Sequence, residues 1–271
     1  MALVTVVSNN EKSAASIFTT LNDRGIGLSS TDLIRSFILQ NAPYGDREEI
    51  IECWEAALEA CGSAIAAEGL IRISWVAEHG DIKARALYKV IADAFNAGLA
   101  PVVYSRRLRD DGVLLRQIRD ADNDDSDVQE YWSGVRILKA NAAQALLIAA
   151  HHRLTADEEK RIARALVALA IRHNVVSQLD RSRYETTVYA TAQQVSSGVS
   201  CDVALNELRK LSPSVVRFKS DFAVLTFSPP EHAIARYMLN AIEDKMSPTQ
   251  EVSVAGSTKV HVEHIYPQKS D

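Results

Sequence analysis

The sequence predicts a mostly α chain: a multi-helix array with a short N-terminal strand and a C-terminal β-hairpin. Three observations carry this reading. Apolar residues recur at i, i+3, i+4 and i+7 through most of the 271 residues. Caps and breakers separate these stripes at short intervals, as in helical arrays. Alternation with a period of two is confined to the two ends.

At the N-terminus, Leu3, Thr5 and Val7 alternate with Val4 and Val6, which reads as one strand without a visible partner. Ala14, Ile17, Phe18 and Leu21 share a helix face, and Gly25 follows as a C-cap. A second helix starts near Ser29 or Ser30, with Asp32 in its first turn and Leu33, Ile34, Phe37 and Ile38 inward; Pro43 stops it. Ile50, Trp54, Ala57, Leu58 and Cys61 form the next stripe. Ile82, Leu87, Val90, Ile91, Ala94 and Phe95 form another, closed by Gly98 and Pro101.

The longest stripe runs through Val128, Tyr131, Trp132, Val135, Leu138, Ala142, Ala145, Leu146 and Ala149. It predicts one helix of about 25 residues, nearly 40 Å long at ~1.5 Å per residue. Thr155 and Glu158 make a capping box for a helix that turns Ile162, Leu166 and Leu169 inward. Tyr184, Val188, Thr191, Ala192 and Val195 predict another helix, and Val203, Leu205 and Leu208 a short one. Ser228 and Pro229 open a last helix with Ile234, Ala235, Met238 and Ile242. In EVSVAGSTKVHVEHI, Val252 and Val254 precede a Gly256-Ser257 turn, and Val260 and Val262 resume the alternation, which reads as a hairpin.

Composition narrows the classes. Apolar residues at 47% and charged residues at 24% exclude a disordered chain. No run approaches the ~18 apolar residues of a membrane span. MALVTVVSNNEK lacks the basic start of a signal peptide. The expectation is a soluble, cytoplasmic protein with no membrane partner. The three cysteines, Cys53, Cys61 and Cys201, have no metal-like spacing and read as reduced thiols. A net charge of −5 excludes a polycationic coat for nucleic acid, though not a local basic groove.

Two phrases are specific: IFTTLNDRGIGLSSTDLIRSFIL at residues 17–39, and ARYMLNAIEDKMSPTQEVSVAGSTKVHVEHIYPQ at residues 235–268. Together, in this order, they resemble the GmrSD-type restriction endonuclease family, modification-dependent bacterial DNA nucleases. In that family the first phrase links an N-terminal ParB-like nucleotide-hydrolysing domain to a helical region. The second opens a C-terminal HNH, or His-Me finger, nuclease. The segment RHNVVSQLDRSRYETTVYATAQQV is compatible with the helical region but less diagnostic. The resemblance implies the following organisation: residues 1–10 as an orphan strand from a missing ParB-like domain, 11–228 as the helical domain, and 229–271 as the last helix plus a truncated HNH-like hairpin. The family's Asp-Gly-Gln-Gln-Arg nucleotide-binding phrase would lie upstream. The Asn and the further metal ligand of its nuclease would lie beyond Asp271.

The resemblance makes His264 the catalytic base and Glu263 a metal ligand, with Mg²⁺ or a similar divalent cation as cofactor, DNA as partner, and a nucleotide bound only by the missing domain. The residue types suit these roles. Imidazole titrates near neutrality, and a carboxylate is a hard oxygen donor for Mg²⁺. Taken alone, His264 would read as a strand-end histidine.

Other candidates are weaker. Arg106, Arg107 and Arg109 form one basic cluster and Arg181 with Arg183 another; each reads as a DNA contact or, more commonly, as a solvated helix end. Asn22, Asp23, Arg24 and Gly25 read as turn chemistry, with contact to the nucleotide domain as the alternative. His261 and His264 do not suit zinc, because strand residues three apart point to opposite faces. His151, His152 and His173 fall in helical patterns. The acidic stretch Asp120–Glu130 lacks the glycine of a calcium loop and reads as a solvated inter-helix loop. The rival to the nuclease reading is a non-catalytic helical scaffold or interaction module.

Overall fold

A computed structural model describes residues 30–62 and 64–246 of the chain. The expected strand at residues 3–7, the helix through Ala14–Leu21 with its Gly25 cap, and the hairpin at 251–265 lie outside these residues. Among the described residues all regular structure is helical: twelve α-helices, short 3₁₀ turns and one π-helical segment. The mostly α class therefore stands. No single helix among them is long and apolar enough to cross a membrane.

Packing divides the chain into two compact units. Of the described residues, the first takes those from Ser30 to Trp75 and Ile82–Arg116. Its helices are α1 (Ser30–Asn41), α2 (Arg47–Cys61), most of α3 (Ala64–His79), α4 (Leu87–Asn96) and most of α5 (Pro101–Asp120). Helix α1 is described from Ser30, the edge of the described residues. Asp32 stands in its first turn, where a negative charge meets the positive end of the helix dipole. Ile34 and Ile38 are fully buried, and Phe37 packs beside them against Phe95 and Tyr88 at centroid distances of 6.1 and 5.8 Å. Phe95 meets Tyr104 edge-on at 5.6 Å. Ile50, Trp54, Ile71, Leu87, Ile91 and Leu108 complete an aromatic-rich core.

Helices α3 and α5 carry no expectation from the apolar stripes. The inward face of α5 explains its own case, because it includes Ser105, Asp111 and Gly112 between Tyr104, Leu108, Leu114 and Ile118. A Cβ at Gly112 would meet Leu70 Cδ2 at 3.2 Å and the Ala57 backbone at 3.4 Å, so glycine sets how closely α5 approaches α2. Asp111 is fully buried; Ser74 Oγ donates to its Oδ2 over 2.5 Å, and Arg107 Nε lies 3.8 Å away. Polar residues on a buried stripe interrupt the apolar period without breaking the helix.

Of the described residues, the second unit takes Val76–Asp81 and those from Gln117 to Met246. It contains α6 (Ser126–Ile137), α7 (Ala143–Arg153), α8 (Ala156–Leu169), α9 (Arg181–Ser196), α10 (Cys201–Arg209), α11 (Val215–Ala223) and α12 (His232–Met246). Helix α7 is the centre: Ala145 through Ala150 are all fully buried, and α8 and α9 pack along it. A helix apolar on every side has to be a core helix. Helix α12 packs on α6.

Here the sequence expectations need correction in three places. The stripe 128–149 is two helices, because α6 ends at Ile137. Lys139 takes a left-handed conformation (φ 52°), the Ala140 N–H donates to Val135 O over 3.0 Å, and the Lys139 N–H donates to Arg136 O over 3.1 Å. That is a Schellman stop with lysine in the place usually held by glycine. The acidic stretch is only partly a loop, since Asp127 and Glu130 belong to α6 and Asp125 is its N-cap, accepting from the Asp127 and Val128 N–H groups. Val203 and Ile242, expected inward, are 48% and 40% exposed.

Other expectations match. Thr155 and Glu158 form the capping box of α8. Trp54, Trp132 and Leu146 are buried, and Tyr184, Val188, Thr191, Ala192 and Val195 all face inward. Cys53, Cys61 and Cys201 are free thiols. Beyond Leu169, α8 widens into a π-helical segment, Ala170–Val176, that buries His173 against Tyr184 at 5.6 Å.

Candidate functional site

Within the second unit, two polar stripes face each other. On α6, Ser126, Gln129, Glu130 and Ser133 follow the i, i+3, i+4, i+7 spacing, with Arg136 one turn further. The apolar side chains Val128, Trp132 and Val135 occupy the buried side of the same helix. On α12, Tyr237, Asn240, Ala241 and Asp244 repeat the spacing. Together with Asp120 and Ala121 at the end of α5, they line an open cleft of about 520 Å³.

Gly134 lets the two helices meet. A Cβ there would lie 2.8 Å from Tyr237 Cζ and 3.1 Å from Val167 Cγ1, both inside normal contact. The close approach partly buries Tyr237, and burial first, then the charge of Glu130, pushes its phenol up to about 12. Glu130 is shifted the same way. Desolvation, then Asp244, then Asp127 raise its carboxyl above the ordinary range, against a smaller opposing pull from Lys245. Asn240 Oδ1 is buried without a hydrogen-bond donor.

The cleft carries three carboxylates, Asp120, Glu130 and Asp244, against one guanidinium, Arg136. It is polar and acidic, which disfavours a phosphate backbone. It presents Glu130 as a group able to hold or release a proton, one helical turn from the hydroxyls of Ser126 and Ser133 on the same stripe. Among the described residues no cluster of three His, Cys, Asp or Glu could hold a metal ion.

The residues singled out from sequence are placed as follows. Glu263 and His264 lie outside the described residues, as do Asn22, Arg24 and Gly25. Arg106 is committed to Glu49, with Nη2 donating to Oε2 over 2.7 Å, and this contact lowers the Glu49 carboxyl. Arg109 donates from Nε to Asp110 Oδ1 over 2.8 Å. Arg107 is half-buried over Asp111. A phosphate reaching this cluster would compete with three internal carboxylates. Arg181 and Arg183 are exposed in the first turn of α9, behind Asp180, which caps the helix by accepting from the Ser182 N–H. The two arginine clusters belong to different units.

His151 pairs its Nδ1 with Glu159 Oε2 at 3.3 Å beside a smaller hollow of about 290 Å³. The acidic stretch is gathered by Lys160, which reaches Asp125 at 2.9 Å and Asp127 at 2.7 Å. The sequence reading missed the cleft itself. Its signal was present as the polar stripe Ser126, Gln129, Glu130, Ser133 opposite an apolar one, but a polar helix face ordinarily means solvent. No family model and no curated protein matches this chain.

Proposed function

We propose that this chain carries the helical region and the opening of the nuclease of a GmrSD-like, modification-dependent DNA endonuclease. The observation that carries the reading is the ordered pair of phrases at 17–39 and 235–268, the second ending in Val262-Glu263-His264-Ile265-Tyr266-Pro267. One feature supports it: the described part of α1 covers the end of the first phrase and α12 spans the start of the second, so each phrase overlaps a helix.

In this reading His264 takes a proton from the attacking water, and Glu263 supplies a hard oxygen for a divalent cation. Mg²⁺, when bound, supplies positive charge beside the scissile phosphate. One carboxylate fits such a cation but does not fix it, so further ligands have to converge for catalysis. DNA contact falls to exposed cations such as Arg181 and Arg183 rather than to the acidic cleft.

The test is nicking of supercoiled plasmid, with and without modified cytosines, by the full-length product of the gene that encodes this chain. Mg²⁺-dependent nicking is expected. His264→Ala abolishes it while leaving folding and DNA binding nearly unchanged, and Glu263→Ala weakens the metal dependence. Undiminished nicking by the His264→Ala protein would overturn the assignment. A second reading, a non-catalytic helical interaction module, is favoured by the exposed Val215, Val216 and Val224, at 62%, 80% and 77%. Absence of metal-dependent nicking from the wild-type product would select it.

A further inference from the structure

The smaller hollow of about 290 Å³ lies at one end of the second unit, where the end of α5, the loop before α6, the last turn of α7 and the first turn of α8 come together. Val128 and Trp132, 8% and 2% exposed, form its apolar floor. Gln117, Asn123, His151, Asp157 and Glu159 supply a polar rim. The indole Nε1–H of Trp132 is buried and meets no acceptor among the described residues. Buried donors are almost always paired, because an unpaired one gives up its hydrogen bond to water and gains nothing in exchange. The acceptor has to come from whatever fills the hollow that Trp132 lines. We propose that this hollow binds a small neutral amide, whose carbonyl oxygen accepts from Trp132 Nε1–H and whose N–H groups donate to Asp157 or Glu159. The site shares no residue with the acidic cleft or with Glu263 and His264, and it stands or falls apart from the nuclease reading.

Size, charge and hydrogen bonding each narrow the occupant. One water takes about 30 Å³ of liquid, so the hollow is far larger than a single buried water requires. It falls at the lower end of the range of small-molecule sites, roughly 300–1,000 Å³. Among the lining side chains Asp125, Asp157 and Glu159 carry negative charge; Lys160 holds Asp125 at 2.9 Å, and His151 Nδ1 lies 3.3 Å from Glu159 Oε2. Such a rim repels a carboxylate or a phosphate. An alkylammonium suits the carboxylates but brings no acceptor for the indole. An amide carries a carbonyl oxygen and N–H donors on adjacent atoms, with no charge to desolvate.

The test reads the indole N–H signals of the 271-residue chain by nuclear magnetic resonance, since its three tryptophans, Trp54, Trp75 and Trp132, give three such signals. Titration with nicotinamide is expected to move the Trp132 signal downfield and saturably while those of Trp54 and Trp75 stay in place. Acetate at the same concentrations should move none of them. Asp157→Ala with Glu159→Gln should raise the apparent Kd about tenfold or more, the loss expected when hydrogen bonds to charged acceptors are removed. Asp157 is exposed and glutamine keeps the shape of Glu159, so the double substitution leaves the core intact. A Trp132 signal that nicotinamide leaves in place, or that moves together with the other two, would overturn the proposal. So would an affinity indifferent to the double substitution, or a response to glucose without one to nicotinamide.

Discussion

Glu130 sits where three influences oppose its ionisation: partial desolvation of its carboxyl, the charge of Asp244 and the charge of Asp127. Its carboxyl is therefore raised above the ordinary 4.5 in the folded protein. The folded state then holds the proton more tightly than the unfolded state does. The contribution to stability is complete below the unfolded value and is lost as pH rises through the folded one. Glu130→Gln removes the charge that is unfavourable at neutral pH while keeping the shape. The variant should melt above the wild type at about pH 7, with the difference vanishing towards about pH 4. Thermal melts across that range check it, and a gap independent of pH would mean that Asp244 and Asp127 do not act on this group. The residue is exposed to solvent, which keeps the effect small.

At the scale of elements, helix existence was more legible than helix endings. Gly98 and Pro101 announced the end of α4 because their chemistry leaves few alternatives. The end of α6 carried no such mark, since the apolar period runs through it and the residue that turns left-handed is Lys139. Helix α5 was hidden for the opposite reason: its buried face includes Asp111 and Gly112, satisfied by tertiary contacts that no local pattern displays. The π-helical segment Ala170–Val176 differs from its flanks in hydrogen bonding rather than in composition. Lys139 offers a test of the helix stop. A left-handed conformation costs a residue with a Cβ roughly 1–2 kcal/mol, part of which glycine gives back through its more flexible unfolded chain. Lys139→Gly should therefore stabilise the protein by about 0.5–1 kcal/mol. Denaturant unfolding measures it, and a loss of stability would show that Lys139 contributes through its side chain instead.

The whole molecule has two cores of different character. The first unit is built on large rings and aliphatics around Trp54, Phe95 and Tyr104, whereas the second is built on alanines, with Leu146, Leu147 and Ile148 the large side chains along α7. Its buried residues were readable from the stripe even though the stripe joined two helices, because burial follows the period and the period survives the break. The candidate site was not readable in the same way. A cleft between α6 and α12 depends on Gly134 admitting Tyr237, a relation between residues about a hundred positions apart. The alanine core also sets the response to a cavity. Leu146 has no exposed surface, and its neighbours along α7, Ala145, Ala149 and Ala150, are too short to swing into a vacated space. Helices packed through alanine hold their backbones close, so collapse would require whole helices to move. Leu146→Ala should then keep most of its cavity and cost on the order of 2–5 kcal/mol, towards the upper part of that range. Denaturant unfolding followed by circular dichroism measures the loss. A midpoint unchanged by the substitution would place Leu146 off the core, and the alanine-centred packing of the second unit would fall with it.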